Sequence, residues 1–236
     1  MRPHGPKHGI PLALALLLAA CGGDAAGPGG QHLRLFIRPV FGTAAGAGIV
    51  NIARTRVRLV YADESPALDS VIVVPAGADS VTLDARVDVT EPGEVLSLTV
   101  AFITPAGDTA FYGGPVPVRT TVSSGAPVLV DLPTVYVGVG ADAIGVIINQ
   151  RAAFVVVGDT ATVTADAYDA QQQIIPGTPI AWASLDPGFA IVADPAVGRV
   201  TGVSPGTARI VASLLTGPAD TITAQVGVPA SPVAAR

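Results

Sequence analysis

The sequence predicts an all-β protein made of two antiparallel β-sandwich domains, and three observations lead to this fold class. The 27 Gly and 21 Pro residues are spread along the chain and are not gathered in one tract, which is typical of many short strands joined by turns. Short segments alternate apolar and polar residues with a period of two, as half-buried strands do. No segment shows a sustained helical period.

The first element in chain order is a leader. Residues 1–8 contain Arg2 and Lys7 but no acid, and residues 10–20 form an apolar segment. This layout is typical of a secretory signal. The segment is shorter than the about 20 apolar residues that a membrane-spanning helix needs, so we predict a signal peptide over residues 1–20 that is cleaved.

The only cysteine of the chain closes this leader in the motif Leu18-Ala19-Ala20-Cys21. The motif resembles the lipobox of bacterial lipoproteins. The resemblance implies that the Cys21 thiol receives a diacylglyceryl group, that cleavage precedes Cys21, and that the new amino group is acylated. Two or more acyl chains anchor a protein stably to a membrane. The alternative is an ordinary signal peptide whose cysteine is only a small apolar residue.

The residues after the motif suggest a destination and a tether. Gly22 follows Cys21 where lipoproteins retained in the inner membrane carry Asp, so the resemblance implies the outer membrane. Residues 22–31, GGDAAGPGGQ, have no apolar pattern. We predict that residues 21–31 form the lipidated cysteine and a flexible tether, which spans roughly 15–20 Å on average.

The charge balance excludes some partners. Cleavage removes Arg2 and Lys7 and no acid, so 11 basic and 18 acidic residues remain and the formal net charge changes from −5 to −7. A negative surface argues against nucleic acid and against charge-driven binding to anionic lipid. Contact with a membrane is therefore expected through the lipid anchor alone.

The first sandwich is predicted over residues 32–137. The segments HLRLFIR and TRVRLVY alternate, the second with Arg56 and Arg58 outward. Further strand signals lie at residues 70–74, 80–89, 94–103, 109–113, 115–122 and 127–132. Seven or eight such strands favour an antiparallel sandwich. The outward arginines are interpreted as a solvated sheet face, and a basic ligand-binding face is the alternative.

A glycine motif follows this region. The segment Gly138-Val139-Gly140-Ala141-Asp142-Ala143 matches G-x-G-x-x-A. A dinucleotide site needs a helix directly after this motif, whereas IGVIIN is β-branched and predicts a strand. We therefore predict a hinge at residues 138–141.

The second sandwich is predicted over residues 142–228, followed by a disordered Pro/Ala-rich tail at 229–236. Several positions in this segment match the pattern of a known family: Gly158, the segment AWAS around Trp182, Gly198 and the turn Pro205-Gly206-Thr207. These positions resemble the bacterial Ig-like domain of the Big2 group, found in invasin- and intimin-type surface proteins. The resemblance implies an Ig-like sandwich and an adhesive role. Two departures are a longer loop at residues 194–197 and a single copy of a module that adhesins repeat.

Trp182, the only tryptophan, is the predicted structural core residue of this sandwich. In an Ig-like sandwich a buried Trp fills the space between the sheets. The chain offers no cysteine pair, so packing alone must hold the sheets together. Stacking of Trp182 on a sugar ring is the alternative.

The sequence predicts no catalytic residues, no metal site and no cofactor. After the leader the chain keeps one histidine, His32, and no lysine, which removes the residues that Ser-His-Asp, Ser-Lys and zinc sites need. A carboxylate pair for glycoside cleavage is formally open, but the only glutamates, Glu64, Glu91 and Glu94, lie in turn-like segments. Weak calcium binding near Asp142 is a further alternative.

These inferences predict a non-catalytic cell-envelope lipoprotein that acts in surface adhesion or as an interaction or spacer module, with a protein or polysaccharide partner. The alternative is an accessory carbohydrate-binding lipoprotein. That function needs exposed aromatic side chains, for which Phe111, Tyr112 and Tyr136 are the candidates in the first sandwich.

Overall fold

The structure is a computed structural model that describes residues 31–41, 48–75, 83–89, 93–120 and 128–228, with the backbone alone at 31–34, 83–86 and 88–89. Within these ranges every regular element is a β-strand, so the predicted all-β class is confirmed. The same ranges contain no helix that is long and apolar enough to cross a membrane.

The first seven strands form one hydrogen-bonded sheet in the order β3-β2-β5-β6-β7-β1-β4. Their bounds are β1 (Gln31–Phe41), β2 (Arg54–Val60), β3 (Pro66–Val73), β4 (Leu83–Val89), β5 (Val95–Ile103), β6 (Thr109–Arg119) and β7 (Val128–Tyr136). β1 runs antiparallel to β4 and parallel to β7. The remaining neighbours are antiparallel.

This sheet folds over itself. β6 and β7 pair over only three positions, from Phe111 with Tyr136 to Gly113 with Thr134. The strands on either side of this junction bury their inward side chains in one common core, where Leu35, Leu59 and Leu132 are fully buried. Two layers that share one apolar core make a β-sandwich.

The structure corrects the prediction of separate strands at residues 109–113 and 115–122. β6 is one strand, Thr109–Arg119, and it passes through a cis peptide bond between Gly114 and Pro115. Gly114 has φ +94°, and a Cβ atom there would collide with the carbonyl oxygen of Leu98 on β5. The register with β5 shifts between Leu98 and Val100, so the chain continues through a bulge where the sequence suggested a break.

Nine further strands follow among the described residues. Their bounds are β8 (Gly145–Ile148), β9 (Ala152–Val156), β10 (Thr160–Thr162), β11 (Ala165–Tyr168), β12 (Ile180–Ser184), β13 (Ala190–Val192), β14 (Arg199–Gly202), β15 (Gly206–Leu214) and β16 (Ala219–Gly227). β12-β15-β16-β9 make a four-stranded sheet, and opposite it lie β10-β14-β13 and the pair β11-β8. β9 runs parallel to β16.

This order is that of an Ig-like sandwich. If β10 and β11 are taken together as strand B, the strands are A (β8), B, C (β12), D (β13), E (β14), F (β15) and G (β16). One layer is then A-B-E-D and the other C-F-G, with β9 added beside strand G. The topology therefore supports the Ig-like fold that the sequence resemblance implied.

Segment ATVTADAY was expected as one alternating strand, and the structure divides it in two. β10 pairs with β14, and β11 pairs with β8. Between them, Val163 donates its backbone N–H to the Gly198 carbonyl, 2.7 Å, and Thr164 donates to the Gln150 side chain, 2.9 Å. The chain changes pairing partners at these two residues, which alternation alone does not indicate.

The segment at residues 138–141 forms turns in which Ala141 donates to the Gly138 carbonyl, 3.0 Å, and Ala143 to that of Gly140, 3.1 Å. Gly140 has φ +78° and packs against Thr178. A strand, β8, follows in place of the helix that a dinucleotide motif requires. Leu215, from the turn between β15 and β16, packs against the core of the first sandwich.

Candidate functional site

The predicted lipidation site lies outside the described residues. This holds for Cys21 and for the lipobox residues Leu18, Ala19 and Ala20, as well as for the tail at 229–236. The predicted core residue, Trp182, lies within β12 and is 6% exposed. It belongs to the buried cluster between the two layers of the Ig-like sandwich.

The three aromatic residues considered for ligand binding differ in exposure. Phe111 is buried, at 4% exposure, and the prediction that it is available to a ligand is wrong. Its ring makes edge-on contacts with Phe41, with centroids 5.1 Å apart, and with Tyr136, at 5.3 Å. Phe111 thus packs inside the sandwich with these two rings. Of the three aromatic residues, only Tyr112 is exposed, at 37%.

Tyr136 takes part in the junction between the sandwiches. Its hydroxyl donates to the Val139 carbonyl, 2.8 Å, and burial raises the pKa of Tyr136. A cavity of about 310 Å³ lies between Phe41, Phe111, Tyr136 and Leu215. Because aromatic packing and a backbone hydrogen bond occupy these side chains, the junction is better suited to positioning the two sandwiches than to binding a ligand.

Among the described residues of the Ig-like sandwich, Phe154 is the most exposed large apolar side chain, at 72%, followed by Val228 at 69%. It lies on β9, at one edge of the four-stranded sheet. Its neighbours Ala153 and Val155 are buried, and this alternation turns the phenyl ring outward. An exposed ring of this size costs hydration free energy unless a partner covers it.

A row of side chains crosses the sheet beside this ring. Phe154 is paired with Gln225 on β16, and Gln225 with Thr207 on β15. All three are exposed, and neighbouring strands are about 4.8 Å apart. An open cleft of about 550 Å³ borders the row and is also lined by Asp159, Thr160 and Gly206. We call this surface, formed by Phe154, Gln225, Thr207 and the cleft, the Phe154 surface.

Sequence reasoning missed the Phe154 surface. The signal available was the segment AAFVV, where Ala153 and Val155 alternate with a ring that must then face outward. The neighbours Gln225 and Thr207 are 71 and 53 positions away along the chain, and only the sheet register of β9, β16 and β15 brings them to the ring.

The Phe154 surface combines apolar and polar groups. A phenyl face, an amide and a hydroxyl offer apolar contact together with hydrogen-bond donors and acceptors. In the part of the chain that the structure describes, no group of three or more His, Cys, Asp or Glu side chains is placed to hold a metal ion.

Among the described residues, three ion pairs lie on the surface. Arg38 binds Asp131 through two contacts of 2.7 Å, Arg56 binds Asp69 at 2.8 and 2.6 Å, and Arg209 binds Asp186. In each pair the arginine side-chain hydrogen bond is the main cause that lowers the pKa of the aspartate. Exposed pairs of this kind add little to stability.

Comparison with known proteins gives similarity at the level of solved structures. No family model matches the chain, and no curated protein matches it. A crystal structure of domains 4 and 5 of the S-layer protein SbsC is 15% identical, with a TM-score of 0.31 over 57% of this chain and 65% of that chain. A C-terminal 282-residue fragment of intimin, in complex with the intimin-binding domain of its translocated receptor, is 14% identical, with a TM-score of 0.29 over 78% of this chain and 55% of that chain.

The ectodomain of human desmocollin-1 is also similar, with 13% identity and a TM-score of 0.29 over 87% of this chain and 37% of that chain. This chain spans 65% of the SbsC fragment with domains 4 and 5, and 29% of the SbsC structure with domains 1–6.

Proposed function

We propose that the protein is an exported, lipid-anchored component of the bacterial cell envelope whose two β-sandwiches form a non-catalytic interaction module. In this proposal residues 32–137 and 142–228 are separate domains joined at residues 138–141. The acylated Cys21 holds them on the outer membrane, and residues 22–31 lift them from the lipid.

The observation that carries the interaction role is the exposure of Phe154. Large aromatic side chains that stand out from a sheet beside polar groups are typical of binding surfaces. Asp159 and Gln225 line the same cleft as the ring, and the Ig-like scaffold holds the surface on three paired strands. Rigid elements of this kind position a binding surface more accurately than loops do.

The anchor is tested by fractionation of cells that produce the wild-type chain or Cys21→Ser. We expect the wild-type chain in the outer-membrane fraction and Cys21→Ser in the soluble fraction, because the serine hydroxyl does not replace the thiolate in lipid transfer. Protease treatment of intact and lysed cells then shows whether the sandwiches face the exterior or the periplasm. Membrane retention of Cys21→Ser would contradict the anchor.

The interaction role is tested with cells that display the protein, by measuring cell–cell aggregation or adhesion to an abiotic surface. Phe154→Ser is expected to lower adhesion, whereas the matched control Leu129→Ser is expected to leave it unchanged. Leu129 is 61% exposed and lies on β7, in the other sandwich. Equal loss in both variants, or no loss in either, would count against the Phe154 surface.

Carbohydrate binding is the second candidate, favoured by the arrangement of Phe154 beside Gln225 and Thr207. A flat ring contacts the apolar face of a pyranose while an amide and a hydroxyl bond its hydroxyl groups. Affinity electrophoresis in gels that contain a neutral β-glucan tests it. Retardation that Phe154→Ser removes and Leu129→Ser preserves would support this function.

A further inference from the structure

Three arginines form a straight row on the outer face of the first sandwich. Along β2 the exposed residues Arg54, Arg56 and Arg58 alternate with buried residues such as Val57. All three arginine side chains therefore point outward. β2 lies between β3 and β5, which places the row inside the sheet face and not at its edge. Alternate residues of a strand are about 7 Å apart, so the row is about 14 Å long. We call these three residues the arginine row.

Among the described residues, the row carries more positive charge than its ion-pair partners neutralise. Asp69, paired with Arg58 in the register of β3 and β2, binds Arg56 through both carboxylate oxygens. Hydrogen bonds from Arg56 are the main cause that lowers the pKa of Asp69, and the charge of Arg58 adds to it. Among the described residues, neither Arg54 nor Arg58 forms an ion pair.

The strands beside the row keep it accessible. On β5 the residues opposite Arg56 and Arg58 are Ala101 and Thr99, which are too short to cover a guanidinium group. On β3 the residues opposite Arg54 and Arg56 are Val73 and Val71, and these are exposed by 71% and 54%. Tyr112 follows on β6, beside Ala101. The row is thus a line of cations bordered by exposed apolar groups.

The net charge of the chain does not by itself require a basic face here. After cleavage the chain carries 18 acids and 11 bases, so an acidic face would serve solubility at least as well. Three arginines in succession present planar groups, each of which can hold a carboxylate through two hydrogen bonds. The pair between Arg56 and Asp69 shows this mode of binding within the face itself.

We propose that the arginine row binds an extended, carboxylated polysaccharide of the polyuronate class. Carboxylates repeated along such a polymer meet guanidinium groups repeated along the strand, and the exposed valines and Tyr112 contact the apolar faces of the sugar rings. A single polymer chain lies within the Debye length of about 8 Å at physiological salt, so it experiences the row more than the negative charge elsewhere. A flat anionic membrane or a nucleic-acid duplex extends over a larger and mostly acidic surface.

This proposal goes beyond the interaction role proposed above, because the arginine row lies on the first sandwich and the Phe154 surface lies on the Ig-like sandwich. It is tested in solution with the purified full chain, so the result does not depend on the anchor or on the orientation of the protein in the envelope. The probe is polygalacturonate included in a native gel, with neutral dextran as the comparison. We expect retardation by polygalacturonate, weaker as salt rises, and none by dextran.

The variant pair Arg54→Gln with Arg58→Gln removes two charges that hold no ion pair in the described structure. We expect it to weaken polygalacturonate binding by about tenfold or more, as the loss of charge-assisted hydrogen bonds does. The matched control is Arg151→Gln with Arg199→Gln, which removes the same charge from exposed positions of the Ig-like sandwich. Asp69→Asn is expected to strengthen binding, because it releases Arg56 for the polymer.

Equal weakening in the two double variants would overturn the proposal, since binding would then follow net charge and not the row. Absence of retardation by polygalacturonate would overturn it as well. Tighter binding to duplex DNA or to anionic phosphatidylglycerol vesicles, lost in Arg54→Gln with Arg58→Gln, would assign the row to another polyanion.

Discussion

The indole ring of Trp182 lies directly against Gly198. A Cβ atom at position 198 would come within 3.0 Å of Cε2 and 3.1 Å of Cζ2 of the ring, and it would collide with the carbonyl oxygen of Val163. Backbone hydrogen bonds hold the two residues in this position. The backbone N–H of Trp182 donates to the Pro195 carbonyl, 2.8 Å, and the backbone N–H of Val163 donates to the Gly198 carbonyl. The segment before β14 is thus bound to both layers of the sandwich.

This close approach predicts that Gly198→Ala destabilises the Ig-like sandwich. The added methyl group must displace the ring or the backbone, and overpacking of this kind costs about 1–3 kcal/mol. Thermal unfolding followed by the fluorescence of Trp182 measures it. The control is Gly188→Ala, where a Cβ atom meets nothing within 4 Å. Equal melting of the two variants would contradict the packing argument.

Trp182→Ala is expected to unfold the Ig-like sandwich or to bring it close to unfolding. The ring fills the space between the layers, beside Val163 and Val200, and removal of such a side chain costs about 3–5 kcal/mol. Trp182→Phe keeps part of the volume and should lose less. Urea unfolding followed by circular dichroism measures both. An unchanged transition in Trp182→Ala would remove Trp182 from the core.

Asp220 is predicted to stabilise contact between the two layers. Its carboxylate, at the start of β16, accepts a hydrogen bond of 2.9 Å from the backbone N–H of Ile148 on β8, and these strands belong to different layers. Asp220→Ala removes the acceptor, and a buried donor left unpaired costs about 1–3 kcal/mol. Asp220→Asn retains an acceptor oxygen and should lose less. Equal stability of wild type and Asp220→Ala in urea would show that this contact is dispensable.

Asp186 predicts a dependence of stability on pH. Its carboxylate accepts hydrogen bonds from the side chain and from the backbone N–H of Arg209, which hold the pKa of Asp186 below its usual value of 3.8. Asp186 therefore binds a proton more readily in the unfolded chain than in the folded chain. The contribution of this carboxylate to the stability of the fold is present above pH 3.8, and it is lost as the pH falls through the lower pKa of the folded state.

The measurement compares urea unfolding of the wild type with that of Asp186→Asn at several pH values. We expect the wild type to be the more stable near pH 7, and the difference to shrink as the solution becomes more acidic. A difference that stays constant through the acidic range would exclude this linkage.

Gly114→Ala is expected to destabilise the first sandwich without affecting the second. Gly114 has φ +94°, and a Cβ atom there meets the Leu98 carbonyl, so both the backbone and the neighbouring strand resist a side chain. Because Trp182 lies in the other sandwich, its fluorescence transition should stay in place while the circular-dichroism transition moves. Gly48→Ala, with open space around the added methyl, is the control. A shift of both transitions together would contradict independent unfolding of the two domains.

The sequence by itself determined which side chains of a strand share a face. In TRVRLVY the arginines are exposed while Val57 and Leu59 are buried, and Trp182 lies in a core as its place in the motif implied. These features follow from the period of two, which each strand carries within itself. The predicted lipobox is equally local, since it is read from four consecutive residues.

Only the tertiary structure decided how the strands combine. It continued β6 through Gly114, divided ATVTADAY between two partners, buried Phe111 and left Phe154 exposed beside Gln225. Each of these outcomes depends on pairing between segments that are distant in the chain. The alternation of apolar and polar residues indicates which side chains share a face of a strand. Whether another layer covers that face depends on how the whole sandwich closes.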